Sequence, residues 1–373
     1  MGVNGNTRYS AGLKPVSQGR KGNKKYEYFR TKEEQFAVQY SGPDRSVRGR
    51  ASANHDLRPC SILYRGPIRA LVIDRQGGTF KRAKGARAGN RSQMVQKFIR
   101  ELQGHPIFPW LNLPRRAATT FYRYIGPHLG IWLRWLGASR EDTNFTYDLT
   151  DINRTNMTAS LAFALGRSVD EIESYFHEVE QDDELLTHIK NMTATSARRM
   201  RADTEVRFGR RVAWYATVRA LKPKVVIETG VDKGLGSVVL AAALLRNREK
   251  GHAGVYYGTD INPAAGYLLS GKYAAAGQIL YGDSIASLEA MTGQIDLFIN
   301  DSDHSADYEA REYVTVAPKM SPHGMMIGDN AHATTKLAEF SRASGRRFAF
   351  IAEQPKAHWH PGCGIGLSLP PKS

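Results

Sequence analysis

Residues 225–236, Val-Val-Ile-Glu-Thr-Gly-Val-Asp-Lys-Gly-Leu-Gly, constrain the fold of this chain more than any other stretch. An apolar, β-branched run ends on a carboxylate, Glu228, and breaks at once into a turn carrying Gly230, Gly234 and Gly236. A helical run from Ser237 to Leu245 follows. A strand apolar on both faces belongs in a parallel sheet covered by helices, and a glycine turn feeding a helix is where such sheets bind nucleotides. The spacing E-x-G-x-x-x-G-x-G departs from the dinucleotide fingerprint and lacks the Gly-Lys-Ser/Thr of a phosphate loop. A carboxylate at the strand tip would repel a pyrophosphate and suit a cationic ligand.

The following strands repeat the pattern. Val255–Thr259 ends on Asp260, where a carboxylate can bind the two hydroxyls of a ribose. Ile279–Tyr281 ends in Gly282-Asp283-Ser284, and Ile295–Asn300 ends in Asp301-Ser302-Asp303-His304. Met325–Ile327 ends in Gly328-Asp329-Asn330. In a doubly wound sheet the C-terminal strand ends share one edge, so these acidic and amide side chains converge on one crevice. Strand-end Asp residues also cap following helices; that reading stays open for Asp301, as a plain turn does for Asn330.

Here the chain resembles the class I S-adenosylmethionine-dependent methyltransferases, and within them the metal-dependent O-methyltransferases of the catechol and macrolide-sugar type. The resemblance covers roughly residues 205–373 and rests on Glu228, Gly230, Gly234, Asp260, Gly282-Asp283-Ser284, Asp301-x-Asp303-His304 and Asp329-Asn330. It implies a Rossmann-like α/β fold, a seven-stranded doubly wound sheet with a helical N-terminal lid. Glu228 and the turn of Gly230, Gly234 and Gly236 would hold the methionine part of S-adenosylmethionine, Asp260 the ribose, and Gly282, Asp283 and Ser284 the adenine. Asp301, Asp329 and Asn330 match positions that ligate Mg²⁺ or another divalent cation. Such an ion lowers the pKa of a hydroxyl acceptor, and two carboxylates with an amide are hard ligands suited to it. A general base must then take the proton. His304 is the favoured candidate and Asp303 the alternative. The implied activity is O-methylation of a hydroxyl on a sugar, a glycan or a small secondary metabolite. An RNA or other macromolecule recruited through a basic arm is the competing acceptor, although no Asn/Asp-Pro-Pro-Tyr/Phe motif for base amines follows the fourth strand. Hydroxylase relatives of the same fold mark a third direction.

Length and charge divide the chain. Its 373 residues suffice for two or three domains. The reading is a basic disordered tail over 1–55, a basic accessory region over 56–140, a helical lid over 141–204 and the cofactor-binding domain over 205–373. Residues 1–120 hold 24 Lys and Arg against 7 Asp and Glu, whereas the other 253 hold 28 against 29. The entire basic excess thus precedes the catalytic domain and suits an anionic surface or nucleic acid. Cys60 and Cys363, far apart in sequence, fit a reducing compartment. With no run of 18 apolar residues and no apolar leader, the expectation is a cytoplasmic protein without a transmembrane segment, peripheral to a membrane at most. A homo-oligomer is compatible with all of this.

Several further segments complete the reading. Residues 61–74 suggest a hairpin, and a helix capped by Ser92 and closed by Gly104 follows a basic loop. Residues 118–136 are the most aromatic piece, broken by Gly126-Pro127 into two short turns. They suit a membrane interface, but packing under the catalytic domain or at a dimer interface is the favoured expectation. Ser168-Val169-Asp170-Glu171 is a capping box, and a further helix is expected from about 195 to 221. The acidic run His177–Glu184 reads as a solvated helix face, and His358 and His360 as loop residues beside the crevice.

Overall fold

The computed structural model describes residues 15–21, 24–30, 35–40, 86–141, 146–329 and 331–371. Residues 1–93 and 94–373 form two compact units. In the first, β1 (Pro15–Lys21), β2 (Lys24–Arg30) and β3 (Gln35–Tyr40) pair as an antiparallel meander. Tyr26, Tyr28, Phe36 and Val38 give these short runs within the basic tail β propensity. The hairpin expected at 61–74 lies outside the described residues.

Helix α1 (Ala86–Gln103) begins before Ser92, which therefore sits inside the helix rather than at its cap. Short helices α2 (Phe108–Leu111) and α3 (Leu113–Thr120) lead through a π-helical turn, Phe121–Ile125, into α4 (Gly126–Ala138). Gly126-Pro127 does not break this run as expected. Pro lacks an N–H to donate, and the π turn directly before it shifts the hydrogen-bond ladder so that the chain stays helical.

Three capped helices follow. Thr150 caps α5 (Asp151–Leu165) by accepting from the Asn153 N–H, and Ser168 caps α6 (Val169–Glu180) by accepting from the Glu171 N–H. Asp182 does the same for α7 (Asp183–Thr195), accepting from the Leu185 N–H at 3.0 Å. The acidic run His177–Glu184, expected as one solvated helix face, is instead the end of α6, a cap and the start of α7, with Val179 and Asp182 buried. The helix expected over 195–221 is shorter: turns span 196–210, and α8 covers Arg211–Leu221.

The catalytic domain is a seven-stranded sheet, built from β4 (Val225–Thr229), β5 (Val255–Asp260), β6 (Gly277–Tyr281), β7 (Ile295–Asn300), β8 (Met320–Gly328), β9 (Arg347–Ala352) and β10 (Gly364–Leu369). Its order is β6-β5-β4-β7-β8-β10-β9. β10 pairs antiparallel with both neighbours, and the remaining pairs are parallel. The chain winds outward from β4 through β5 to β6, then returns to β7 on the other side, so the topological switch point lies between β4 and β7. Helices α9 (Leu235–Glu249), α10 (Ser284–Ala290), α11 (Ala306–Val316) and α12 (Lys336–Ala343) supply the crossovers. α9 is apolar nearly all round, from Leu235 to Leu244, because it is buried between the sheet and α8. The main core joins α8 and α9 to one sheet face, and a second cluster around Phe298, Tyr313 and Leu337 fills the other.

Candidate active site

The glycine turn after β4 sets the floor of the site. Gly230 has φ +78° and donates its N–H to the Thr259 carbonyl at 2.9 Å. A Cβ there would run into the Asp301 carbonyl, so only glycine lets the tips of β4 and β7 approach this closely. Gly234, at φ +90°, is the N-cap of α9. A Cβ on Gly236 would collide with the Glu228 carboxylate. Beyond this turn opens a crevice of about 1120 Å³, enough for a nucleoside-sized ligand with a second small molecule beside it.

Glu228, at the tip of β4, is 1 % exposed and reaches the crevice. The Ser237 hydroxyl donates to its Oε2 at 3.0 Å and the Tyr256 hydroxyl donates to the same oxygen. Burial nevertheless lifts its carboxyl to about 7, because these hydrogen bonds and the nearby Arg211 do not offset the lost hydration. A cationic group entering here would restore the carboxylate. Asp260, at the tip of β5, accepts the Asp232 N–H at 2.9 Å on one oxygen and the Asn262 N–H at 2.8 Å on the other. Each oxygen keeps a lone pair for a hydroxyl of a ligand.

At the tip of β6, Gly282 has φ +140° and lines the crevice with Asp283 and Ser284. Asp283 caps α10, accepting the Ala286 N–H at 2.9 Å and the Tyr308 hydroxyl at 2.8 Å. These bonds hold its carboxyl below the usual range. The Ser284 hydroxyl meets the Tyr308 hydroxyl at 2.8 Å and donates to Glu312. Asp283 therefore has a structural duty as well as a place in the wall.

Asp301 and Asp329 come together at the tips of β7 and β8, where the Asp301 N–H donates to Thr229 and the Asp329 N–H to Asn300, each at 2.9 Å. Asp301 is no cap: α11 begins at Ala306 with Ser305 before it. Both oxygens of Asp329 are taken by Arg210, whose Nε and Nη2 donate one bond each in a fork. Arg210 Nη1 lies 3.5 Å from Glu353, and Arg211 Nη2 lies 4.0 Å from Asp301. Burial, then the neighbouring Asp329, pushes the Asp301 carboxyl well above its ordinary value. Arg210 outweighs burial at Asp329 and holds that carboxyl below it.

This arrangement does not fit the implied divalent ion. Two guanidinium groups already serve the carboxylates, one of them chelated on both oxygens, and they would repel a dication brought to the same place. Among the described residues no three acidic, histidine or cysteine side chains converge to hold a metal, and Asn330 lies outside the described residues. The methyl-donor cofactor does fit, since the Gly230 turn leaves the space a Cβ would fill and Glu228 and Asp260 offer anionic groups to a cationic nucleoside.

Asp303 and His304 are both exposed on the crevice wall after β7, and Asp303 accepts the Ser305 N–H at 2.8 Å. His332 and His360 face the same space. Burial, then Arg210 and His332, lowers the His360 pKa, so its imidazole is held neutral. His360 belongs to the loop expected at the crevice, where its Nδ1 accepts the Gly362 N–H at 3.0 Å. Sequence reasoning missed Arg210, Arg211, Glu353 and Tyr147, whose hydroxyl donates to Glu353 at 3.2 Å. One signal was available. Two arginines at the N-terminus of a largely apolar helix oppose its dipole and need anionic partners.

Strand order and switch-point crevice define a class I methyltransferase architecture. Residues 227–331 match a family model described as a methyltransferase domain. Over this region the chain carries a methyltransferase domain on that fold. No curated protein sequence matches it. Solved structures with similarity include the O-methyltransferase TomG from Streptomyces achromogenes, in complex with S-adenosylmethionine. It is 16% identical, with 52% of this chain and 92% of that one covered and a TM-score of 0.39. A putative O-methyltransferase from Klebsiella pneumoniae is 15% identical, with 51% and 89% covered and a TM-score of 0.35. The S-adenosylhomocysteine-bound methyltransferase PaMTH1 from Podospora anserina is 16% identical, with 55% and 95% covered and a TM-score of 0.37.

Proposed function

We propose that this chain transfers a methyl group from S-adenosylmethionine to a hydroxyl of a sugar, a glycan or a small secondary metabolite. The observation that carries this reading is the convergence of Glu228, Asp260, Asp283, Asp303 and His304 on one crevice at the switch point. In it, Glu228 and the Gly230 turn receive the methionine end, Asp260 binds the ribose hydroxyls, and the Gly282–Ser284 wall bounds the adenine. The bound cofactor supplies a methyl group already activated by its sulfonium. The chain's own work is to hold donor and acceptor in line and exclude water.

A hydroxyl acceptor must also lose its proton. His304, with Asp303 as the alternative, stands exposed on the wall after β7, where it can accept that proton. Arg210 and Arg211 give the floor a positive charge beside Asp301 and Asp329, which would stabilise oxyanion character on the acceptor. Arg210 takes both oxygens of Asp329, so the charge beside the acceptor comes from guanidinium groups rather than from a metal ion. The room left beside a nucleoside suits a small acceptor or one terminal sugar better than a folded nucleic acid.

Calorimetric titration with S-adenosylmethionine tests the cofactor half. Binding is expected, and Asp260→Ala should weaken it by more than about 1 kcal/mol, since charge-assisted hydrogen bonds contribute roughly 1.5–3 kcal/mol. Unchanged affinity in Asp260→Ala would remove the ribose assignment.

A further inference from the structure

The segment before the catalytic domain is unlike the rest of the molecule. From α3 through the π turn to the end of α4, residues 113–138 form one continuous helical run. None of its residues is buried. Its large side chains stand in water instead: Tyr122 is 77 % exposed, Leu133 55 % and Leu136 51 %. Within α4, Leu129, Trp132, Leu133 and Leu136 follow the i, i+3, i+4, i+7 spacing of one helix face. Arg134 lies on the opposite side, between the half-buried Ile131 and Trp135, and Gly130 and Gly137 flank the stripe. The expectation that this stretch packs under the catalytic domain is therefore corrected. Among the described residues its C-terminal end is attached: Trp135 meets Trp359 with ring centroids 5.1 Å apart, the Ser139 hydroxyl donates to Asp203 at 2.6 Å, and the Arg140 N–H does so at 2.8 Å.

The charge on this run indicates what covers it. No Asp or Glu occurs between Glu101 and Glu141, whereas Arg115, Arg116, Arg123, Arg134 and Arg140 do. A second copy laid against it would bring like charges together, which disfavours a symmetric dimer. A partner that is anionic at its surface and apolar just beneath satisfies both halves of the pattern. Among the described residues no helix is long and apolar enough to cross a membrane, so the run is suited to lying in the interface rather than spanning it.

We infer that residues 113–138 dock on an anionic lipid surface, the Leu129–Trp132–Leu133–Leu136 stripe entering the headgroup–acyl boundary and the arginines meeting lipid phosphates. The amphipathic rings of Tyr122, Tyr124 and Trp132 suit headgroup depth, and arginine stems can cover apolar surface while their heads stay in water. Because α4 is tied through Trp359 and Asp203 to segments flanking the crevice, docking holds the active site beside the surface and favours acceptors presented there.

Co-sedimentation of the full chain with vesicles tests this. Phosphatidylcholine vesicles containing phosphatidylserine should retain the protein, and pure phosphatidylcholine vesicles should retain far less, with binding falling as salt rises. Trp132→Ser/Leu133→Ser keeps every charge and should lower the partition coefficient on the order of tenfold or more, while S-adenosylmethionine affinity stays unchanged. Arg123→Gln/Arg134→Gln should reduce the preference for phosphatidylserine. Full retention of the Trp132→Ser/Leu133→Ser protein would overturn the inference, since the basic N-terminal arm alone would then account for binding. A dimer in sedimentation equilibrium that this variant abolishes, without vesicle binding, would overturn it in favour of a second copy. Capture of single-stranded RNA without vesicle binding would overturn it in favour of nucleic acid.

Discussion

Glu228→Gln isolates the electrostatic tension at the centre of the site. Burial raises the Glu228 carboxyl from 4.5 to about 7. For an acid whose folded pKa is raised, the unfolded chain loses its proton first. Stability therefore falls as pH climbs through the window from 4.5 to about 7, and the full cost is present above it. At ~1.36 kcal/mol per pH unit, that window is worth about 3 kcal/mol. Gln keeps an oxygen to accept from Tyr256 and Ser237 but cannot ionise. In urea unfolding without cofactor, the variant should gain on the wild type from under about 1 kcal/mol at pH 5 to about 3 kcal/mol at pH 8. All other titrating groups are common to both proteins, so the difference reports Glu228 alone. S-adenosylmethionine, being cationic, should draw Glu228 back to its ionised form, so wild-type affinity should rise with pH across the same window. Parallel stability profiles for the two proteins from pH 5 to 8 would refute the reasoning.

Further outcomes are expected at the other end of the crevice. His304→Ala should lower kcat about 10²–10⁴-fold with S-adenosylmethionine affinity intact; if Asp303→Asn does this and His304→Ala does not, the base assignment moves to Asp303. Arg210→Met leaves Asp329 and Glu353 buried without their cation and should cost about 3–5 kcal/mol in denaturant unfolding. Because Arg210 takes the place of an ion, EDTA should leave turnover within about twofold, and a loss that Mg²⁺ restores would show that Arg210 yields Asp329 to a metal.

The sheet was legible because its signals are local. The strands Val225–Thr229 and Ile295–Asn300 are built on the apolar runs Val225–Ile227 and Leu297–Ile299, and each ends at once in a turn. Ser168 announced its helix for the same reason: a cap needs only the next three residues. The partners of Arg210 were not legible, since Asp329 and Glu353 lie more than a hundred residues away and only the folded sheet brings them together. Asp283 was legible as a residue of the crevice wall but not as the cap of α10, because both roles use the same residue type at the same strand end. Residues 118–136 misled for a different reason. Aromatic content signals burial against something, and composition alone does not distinguish a protein core from a lipid surface. Gly126-Pro127 looked like a break because the π turn that accommodates it has no sequence signature of its own.

The central claim is tested most directly by following labelled methyl from S-adenosylmethionine into fractionated extract of the source cells, in the presence of EDTA. The account predicts label in a glycan, lipid-linked or small-molecule fraction, held as an ether stable to mild base, and absent with Asp260→Ala. Label confined to nucleic acid, or no transfer at all from a protein shown to bind the cofactor, would contradict it.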